Sequence, residues 1–365
     1  MTKKVIPVSE PNIGKEELKN ITQAVKSGWL SHGNFVDQFE NDFARFCQTN
    51  YAVSVMNGTA ALHLALLTLG VGAGDEVIVP ALTFVATANA VSFTGAKAVL
   101  VDVDFDTWNI NSQHVKAKIS SRTKAIIPVH LYGHPADMDP ILRLAQKHNL
   151  CVVEDAAEAH GALYKNKPVG GLGDIGIFSF YGNKTITTGE GGMLVTNNKK
   201  IADRARFLKA HGMSPNRRYY HPEIGFNYRM TNLQAAVGVA QLAQIRKFIQ
   251  LKRRNAMLYN KYLRQVPGIT LPPEKSWARN IYWMYSVLID DNIYSISRDK
   301  LMSKLQNLGI ETRPFFVPLH RMPMYRASGF PVADKLSQQG INLPSSTKLT
   351  PAEIQKIAIA IKPKD

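Results

Sequence analysis

The chain has 365 residues, 45% of them hydrophobic, and carries 44 Lys and Arg against 28 Asp and Glu, a formal net charge of +16. That length and apolar content suit a soluble, globular chain with one large domain and a smaller one. The opening Met1-Thr2-Lys3-Lys4-Val5-Ile6-Pro7 lacks the apolar core and cleavage site of an export signal, and no uninterrupted apolar run reaches about 18 residues. Export and membrane insertion are therefore not expected, and the cytoplasm is the expected location. Two cysteines only, Cys47 and Cys151, stand far apart in apolar surroundings and read as reduced packing residues, not as a disulfide framework or a metal site. The basic residues are spread along the chain. Their densest cluster, Arg246, Lys247, Lys252, Arg253 and Arg254, falls on a long helix and reads as a solvated face with a general attraction for anionic substrates; no nucleic-acid motif accompanies it.

From residue 50 to about 200, short apolar runs alternate with helical segments, the signature of an α/β sheet. The predicted strands are 76–79, 98–101, 125–129, 151–154, 175–180 and 193–196. Helices are predicted at 59–69, 112–119, 138–148 and 199–209, the first apolar on nearly every side and so buried. Residues 231 to about 263 read as long helical segments. The remainder alternates helices with strands at 282–289 and 311–315, a second, smaller α/β domain packed tightly on the first.

The segment Ser179-Phe180-Tyr181-Gly182-Asn183-Lys184-Thr185-Ile186-Thr187-Thr188-Gly189-Glu190-Gly191-Gly192 places one lysine in a glycine-flanked turn just after an apolar strand. Glycines there permit the close backbone approach and fixed direction that an imine-forming lysine needs. The run Cys151-Val152-Val153-Glu154-Asp155 sets Asp155 at the carboxyl edge of the sheet, where open α/β sheets bind ligands. An acid in that position can keep a ring nitrogen protonated, so Asp155 with Lys184 meets the minimal requirement of pyridoxal 5'-phosphate (PLP). For its phosphate, Gly58 and Thr59 open an apolar helix whose N-terminus favours an anion, and Ser179 can add a hydroxyl. The sequence Gly171-Leu172-Gly173-Asp174-Ile175-Gly176 has the spacing of a dinucleotide-binding loop but precedes a strand instead of following one, and reads as turn residues.

Taken in order, these motifs resemble the DegT/DnrJ/StrS family of PLP-dependent nucleotide-sugar aminotransferases. The likeness runs through Gly28-Trp29-Leu30-Ser31, Asn57-Gly58-Thr59, Pro80-Ala81-Leu82-Thr83-Phe84, Pro128-Val129-His130-Leu131-Tyr132-Gly133, Glu154-Asp155-Ala156-Ala157-Glu158-Ala159-His160-Gly161, the lysine segment and Gly225-Phe226-Asn227-Tyr228-Arg229-Met230. The resemblance implies the aspartate aminotransferase fold, type I of the PLP-dependent transferases. In it a large domain, residues 1–250, holds a mostly parallel mixed sheet, and a smaller C-terminal α/β domain spans 251–365. It further implies that Lys184 joins the cofactor and acts as the catalytic base, Asp155 contacts the pyridine nitrogen, Phe84 stacks on the ring and Glu158 lies near the ring hydroxyl. Gly58, Thr59 and Ser179 hold the phosphate, and Asn227 reaches across a homodimer interface.

Within the family the likeness points to members that aminate GDP-4-keto-6-deoxymannose with glutamate as donor to give GDP-perosamine. It rests on the lysine segment, Arg217-Arg218-Tyr219-Tyr220, Glu311-Thr312-Arg313-Pro314-Phe315-Phe316, His320-Arg321-Met322-Pro323-Met324-Tyr325 and Gly340-Ile341-Asn342-Leu343-Pro344-Ser345. Arg313, His320, Arg229, Tyr219 and Tyr220 are candidates for the substrate's diphosphate and sugar, with packing or surface pairing as the competing account. His160 reads as a satisfied polar residue lining the site. The competing functions are amination of a UDP- or dTDP-linked sugar, a PLP-dependent sugar dehydratase, in whose known relatives a histidine replaces the lysine, and a basic regulatory protein without turnover.

Overall fold

The computed structural model describes residues 5–362, so Met1 to Lys4, read above for the absence of an export signal, lie outside the described residues. Two helices not anticipated from the sequence come first, α1 (Lys15–Ser27) and α2 (Asn34–Cys47). Then follow β1 (Tyr51–Val55), α3 (Gly58–Thr68), β2 (Glu76–Pro80), α4 (Ala86–Phe93), β3 (Lys97–Val101), α5 (Ser112–Lys118), β4 (Thr123–Ile126), α6 (Met138–His148) and β5 (Cys151–Asp155). Short β6 (Leu163–Tyr164) and β7 (Lys167–Pro168) precede β8 (Ile175–Ser179) and β9 (Gly192–Thr196). Three helices come next, α7 (Lys199–Lys209), α8 (Asn232–Ala243) and α9 (Ile245–Leu263). The C-terminal stretch holds β10 (Ile269–Thr270), β11 (Ala278–Arg279), β12 (Tyr285–Ile289), α10 (Arg298–Asn307), β13 (Arg313–Pro314), α11 (Pro331–Gln339), β14 (Gly340–Leu343) and α12 (Pro351–Ile361).

Seven strands form one sheet in the order β1-β9-β8-β5-β4-β2-β3. The pairs β8–β5, β5–β4, β4–β2 and β2–β3 are parallel, while β9 runs antiparallel to both β1 and β8. The sheet is thus mixed and mostly parallel, and its carboxyl ends gather on one edge. Parallel neighbours need long crossovers, which the intervening helices supply. Helix α3 is buried from Gly58 through Leu66 except for Thr59, because Ala and Leu occupy all its faces. Asn57 caps it, accepting from the Ala60 N–H at 2.8 Å.

Where the strands differ from expectation, the cause is local. β4 starts at Thr123 and stops before Pro128, which has no N–H to donate. β12 starts at Tyr285, not residue 282, because Tyr282 takes a φ of 49°. The expected strand 311–315 shrinks to Arg313–Pro314.

The larger buried cluster fills both faces of this sheet and includes the packed rings of Phe39, Phe43, Phe178 and Phe180. A second cluster draws on Ile6 and then on residues from Ala256 to Ile361, around β12, β14, α10 and α12. The boundary expected between residues 250 and 251 falls inside α9. The basic cluster on that helix is not a simple solvated face. Lys252 is buried and donates to the carbonyls of Trp283 and Ser345, Arg253 donates to Glu274 and to the Asn280 carbonyl, and Arg254 donates to Asn255 and the Leu349 carbonyl. Arg246 and Lys247 remain exposed. Among the described residues no helix is long and apolar enough to cross a membrane.

Candidate active site

The ends of β5 and β8, the start of α3 and the loop after β8 converge on a cavity of about 570 Å³ at the carboxyl edge of the sheet. Gly58, Thr59, Phe84, Asp155, Glu158, Ser179, Lys184 and Arg313 all line it. Its far wall comes from the C-terminal stretch through Trp283, Phe316 and Asn342.

Asp155 is the last residue of β5 and is 5% exposed. Burial pushes its carboxyl up, while hydrogen bonds from the Thr87 hydroxyl at 2.8 Å and the Ala157 N–H at 3.2 Å, and the positive charge of Lys184, pull it down. Lys184 is largely enclosed, its side chain 11% exposed. Its Nζ lies 3.6 Å from Glu158 Oε1 and 3.9 Å from the centre of the Trp283 ring. Burial lowers the lysine below its ordinary value; Glu158 and Asp155 oppose that fall without reversing it.

Glu158 accepts from the Tyr132 backbone N–H at 2.8 Å. Tyr132 presents that N–H from a left-handed conformation, φ 53° and ψ 15°, which costs a non-glycine residue of order 1 kcal/mol or more. Its own hydroxyl accepts from the Phe316 N–H at 3.2 Å, tying the turn after β4 to the C-terminal stretch.

The residues fit pyridoxal phosphate. Asn57 accepts from Ala60 and Ala61, so the first two amides of α3, those of Gly58 and Thr59, still need an acceptor at a helix end that favours an anion. Ser179 sits against them: a Cβ at Gly58 would lie 2.8 Å from the Ser179 Cβ, which is why position 58 carries none. The Phe84 ring, 54% exposed in this chain, offers a flat face beside the cavity. Buried Asp155 and the largely enclosed Lys184 are the candidates for the remaining two contacts.

The glycines around Lys184 behave differently from expectation. Gly182 has open space around it, whereas a Cβ at Gly192 would meet the Asn57 carbonyl oxygen at 2.4 Å. The close approach that the glycines permit therefore joins β9 to the start of α3, with the lysine carried between.

Several expected residues are not brought to this cavity. His160 does not line it. The ring is fully buried between Phe178 and Phe180, with centroid distances of 5.4 and 5.7 Å, and a backbone group of Ser179 faces it without meeting hydrogen-bond geometry. Burial lowers its pKa to about 3, so it is a neutral, unsatisfied packing residue and not a satisfied polar one. His320 is buried too, with Nε2 2.9 Å from Asp334 Oδ1 and the ring stacked on Phe330. Tyr219 and Arg229 line a separate surface depression of about 870 Å³. Tyr220 and Asn227 are exposed outside the Lys184 cavity. Arg313 lines the cavity and lies 3.5 Å from Glu311.

Three further residues that line the cavity carry no expectation from the sequence. Thr87 is three residues beyond Phe84 on α4, a helix with no clear periodic signal. Tyr132 lay within a recognised motif without a role. Trp283 sits in a run read only as strand. No cluster of three or more His, Cys, Asp or Glu among the described residues could hold a metal ion.

The loop with dinucleotide-like spacing has its own anion. The amides of Gly170, Leu172 and Gly173 donate to the buried carboxylate of Glu154 at 2.7, 2.6 and 2.7 Å, and His130 Nε2 lies 3.1 Å from it. An internal side chain therefore takes the place that a phosphate holds in a nucleotide loop.

A family model described as the DegT/DnrJ/EryC1/StrS aminotransferase family matches residues 11–362. The chain belongs to that family. The aminotransferase is 46% identical over 361 residues to the GDP-perosamine synthase of Escherichia coli O157:H7, covering 98% of each chain. It is 45% identical over 361 residues to the GDP-perosamine synthase of Caulobacter vibrioides, covering 98% of this chain and 97% of that one. The solved structure of S. venezuelae DesV in complex with a ketimine intermediate matches with a TM-score of 0.90 at 37% identity, covering 95% of this chain and 93% of that one. The aminotransferase is PLP-dependent and has the α/β fold of that enzyme class.

Proposed function

We propose that this enzyme transfers the amino group of L-glutamate to the C4 ketone of a nucleotide-linked 4-keto-6-deoxy sugar, with GDP-4-keto-6-deoxy-D-mannose as substrate and GDP-perosamine, a polysaccharide precursor, as product. The observation that carries the choice of sugar is the near-full-length identity of 45 and 46% to two GDP-perosamine synthases.

When bound, PLP supplies an electron sink for the carbon that gains or loses a proton. Asp155 supplies negative charge opposite a ring nitrogen, steadied by Thr87. Gly58, Thr59 and Ser179 would hold its phosphate, Phe84 would cover its ring, and Glu158 would meet its ring hydroxyl. Lys184 binds the cofactor and, when released, takes and returns a proton at Nζ; burial lowers its pKa, which favours the neutral amine that such a transfer needs. Arg313, at the cavity wall, meets the anionic part of the substrate.

The proposal includes a homodimer. Asn227, Tyr219, Tyr220 and Arg229 are exposed and do not line their own cavity, Tyr219 and Arg229 share a depression with the exposed apolar side chains of Met213 and Ile224, and the role of all four is played in the partner's site. A cofactor-holding domain of residues 1–250 and a smaller one of 251–365 are supported by the separate second core, and a cytoplasmic location by two free cysteines.

The test is mass spectrometry of the product after incubation with PLP, glutamate and GDP-, UDP- and dTDP-linked 4-keto-6-deoxy sugars. Amination of the GDP sugar alone is expected. Amination of a UDP or dTDP sugar instead rejects the perosamine assignment, and amination of none rejects the aminotransferase reaction on these sugars.

A further inference from the structure

Trp283 has no part in the chemistry described so far, yet two of its groups reach the lysine segment and a third is anchored on Lys252. The indole N–H donates to the Asn183 carbonyl at 2.8 Å. The ring face lies 3.9 Å from Lys184 Nζ, measured to its centre. The Trp283 carbonyl accepts from the buried Lys252 at 3.0 Å, and Lys252 donates in turn to the Ser345 carbonyl at 2.9 Å. Trp283 is 4% exposed and stacked on Tyr132. Its position is therefore fixed from the C-terminal side and imposed on the residues 183–184.

We propose that Trp283 is a positioning residue: its indole face receives the amino group of Lys184 whenever that group is free of the cofactor, and its N–H fixes the direction of the lysine's backbone. The proposal rests on Lys184 being the cofactor's lysine. A ring face attracts an ammonium and offers a neutral amine little. A released Lys184 that has taken a proton at Nζ is thus held over the indole, beside the cavity and ready to return it.

The other charges around the lysine set the background. Asp155 and Glu158 favour the ammonium, and burial disfavours it. His160 is neutral, and Lys252 lines a small polar cleft of about 10 Å³ behind Lys184. Tyr132, Tyr181, Glu190 and Arg313 complete the ionisable lining of the main cavity. The indole acts in the same direction as the two carboxylates, limiting how far burial lowers the lysine.

The experiment measures the ionisation of Lys184 in cofactor-free enzyme, through the pH dependence of its labelling by a small acylating reagent, read on the Lys184 peptide by mass spectrometry. In Trp283→Leu the midpoint should move down by about 0.5 to 1.5 pH units. Trp283→Phe keeps a ring face and lacks the N–H, and its midpoint should move by less than half as much. If the leucine variant does not fold, Trp283→Met takes its place as a flexible filler. An unchanged midpoint in the ringless variant overturns the proposal, and so does an equal shift in Trp283→Phe. Borohydride reduction of the wild-type holoenzyme separates the two levels. Cofactor fixed on another lysine overturns the assignment of Lys184 and the proposal together, whereas fixation on Lys184 with an unchanged midpoint overturns the proposal alone.

Discussion

Thr87 donates its hydroxyl hydrogen to Oδ2 of Asp155 at 2.8 Å, and its own oxygen lies 3.1 Å from that of Thr83. The two threonines belong to a turn and a helix; the acid ends a strand 68 residues away. Because Asp155 is buried and its carboxyl is already raised by burial, this hydrogen bond favours the charged form on which the cofactor depends. Thr87→Val removes the donor at nearly constant volume. A hydrogen bond to a charged group contributes about 1.5–3 kcal/mol, so the amination rate should fall roughly 10- to 100-fold. Thr87→Ser should retain most of it, as steady-state kinetics would show.

Lys184→Ala removes both the covalent anchor and the proton carrier. Turnover should fall by roughly 10³ or more, and borohydride should no longer fix cofactor to the chain. Detection of wild-type product levels by mass spectrometry would refute the role.

Glu158 raises the pKa of Lys184 against the larger effect of burial. In Glu158→Gln that opposition disappears, so the lysine falls further below its ordinary value. The neutral amine then forms at lower pH, and the limb on which kcat rises with pH should move to the acid side. A pH–rate profile of the two enzymes checks the direction.

His160 sets part of the acid stability. Its pKa is about 3 in the folded chain and near 6.5 when unfolded, so between those values the unfolded chain binds the extra proton. Stability is complete above the unfolded value and is lost as pH falls towards the folded one, by up to about 1.4 kcal/mol per unit. His134, lowered to about 4, acts in the same sense. Urea unfolding between pH 6.5 and 4 should show a smaller acid loss in His160→Leu, with the His134 contribution remaining.

If Asn227 works in the partner's site, Lys184→Ala and Asn227→Ala chains, each impaired alone, should complement when mixed. Half the dimers would be mixed and each would hold one intact site, giving about a quarter of wild-type activity. No recovery on mixing would place Asn227 in its own chain's site.

The placing of Asp155 and Lys184 at one cavity was legible because both residues follow directly from strand ends: Asp155 closes an apolar run, and Lys184 follows another by a short turn. The α/β alternation and the burial of α3 followed from the apolar runs and composition, and the mostly parallel sheet from the family resemblance. Trp283 and Thr87 were not legible, since each acts through a contact made only when distant segments fold together. The histidines illustrate the same limit. Nothing near His320 in sequence announces Asp334 and Phe330 as its partners, and nothing near His160 announces its aromatic enclosure. Helices α1 and α2 were overlooked although both are amphipathic, with α2 burying Phe39 and Phe43.

Lys252 and Trp283, joined by a hydrogen bond, both lie beyond the expected boundary at residue 250, and the Trp283 indole reaches back across it to Asn183. Exchanging the whole C-terminal third between relatives would therefore transplant the indole that faces Lys184 along with the far wall of the cavity. Chimeras meant to alter sugar choice should graft only the short segment around Arg313 and Phe316, leaving the tryptophan and its buried lysine native to the host.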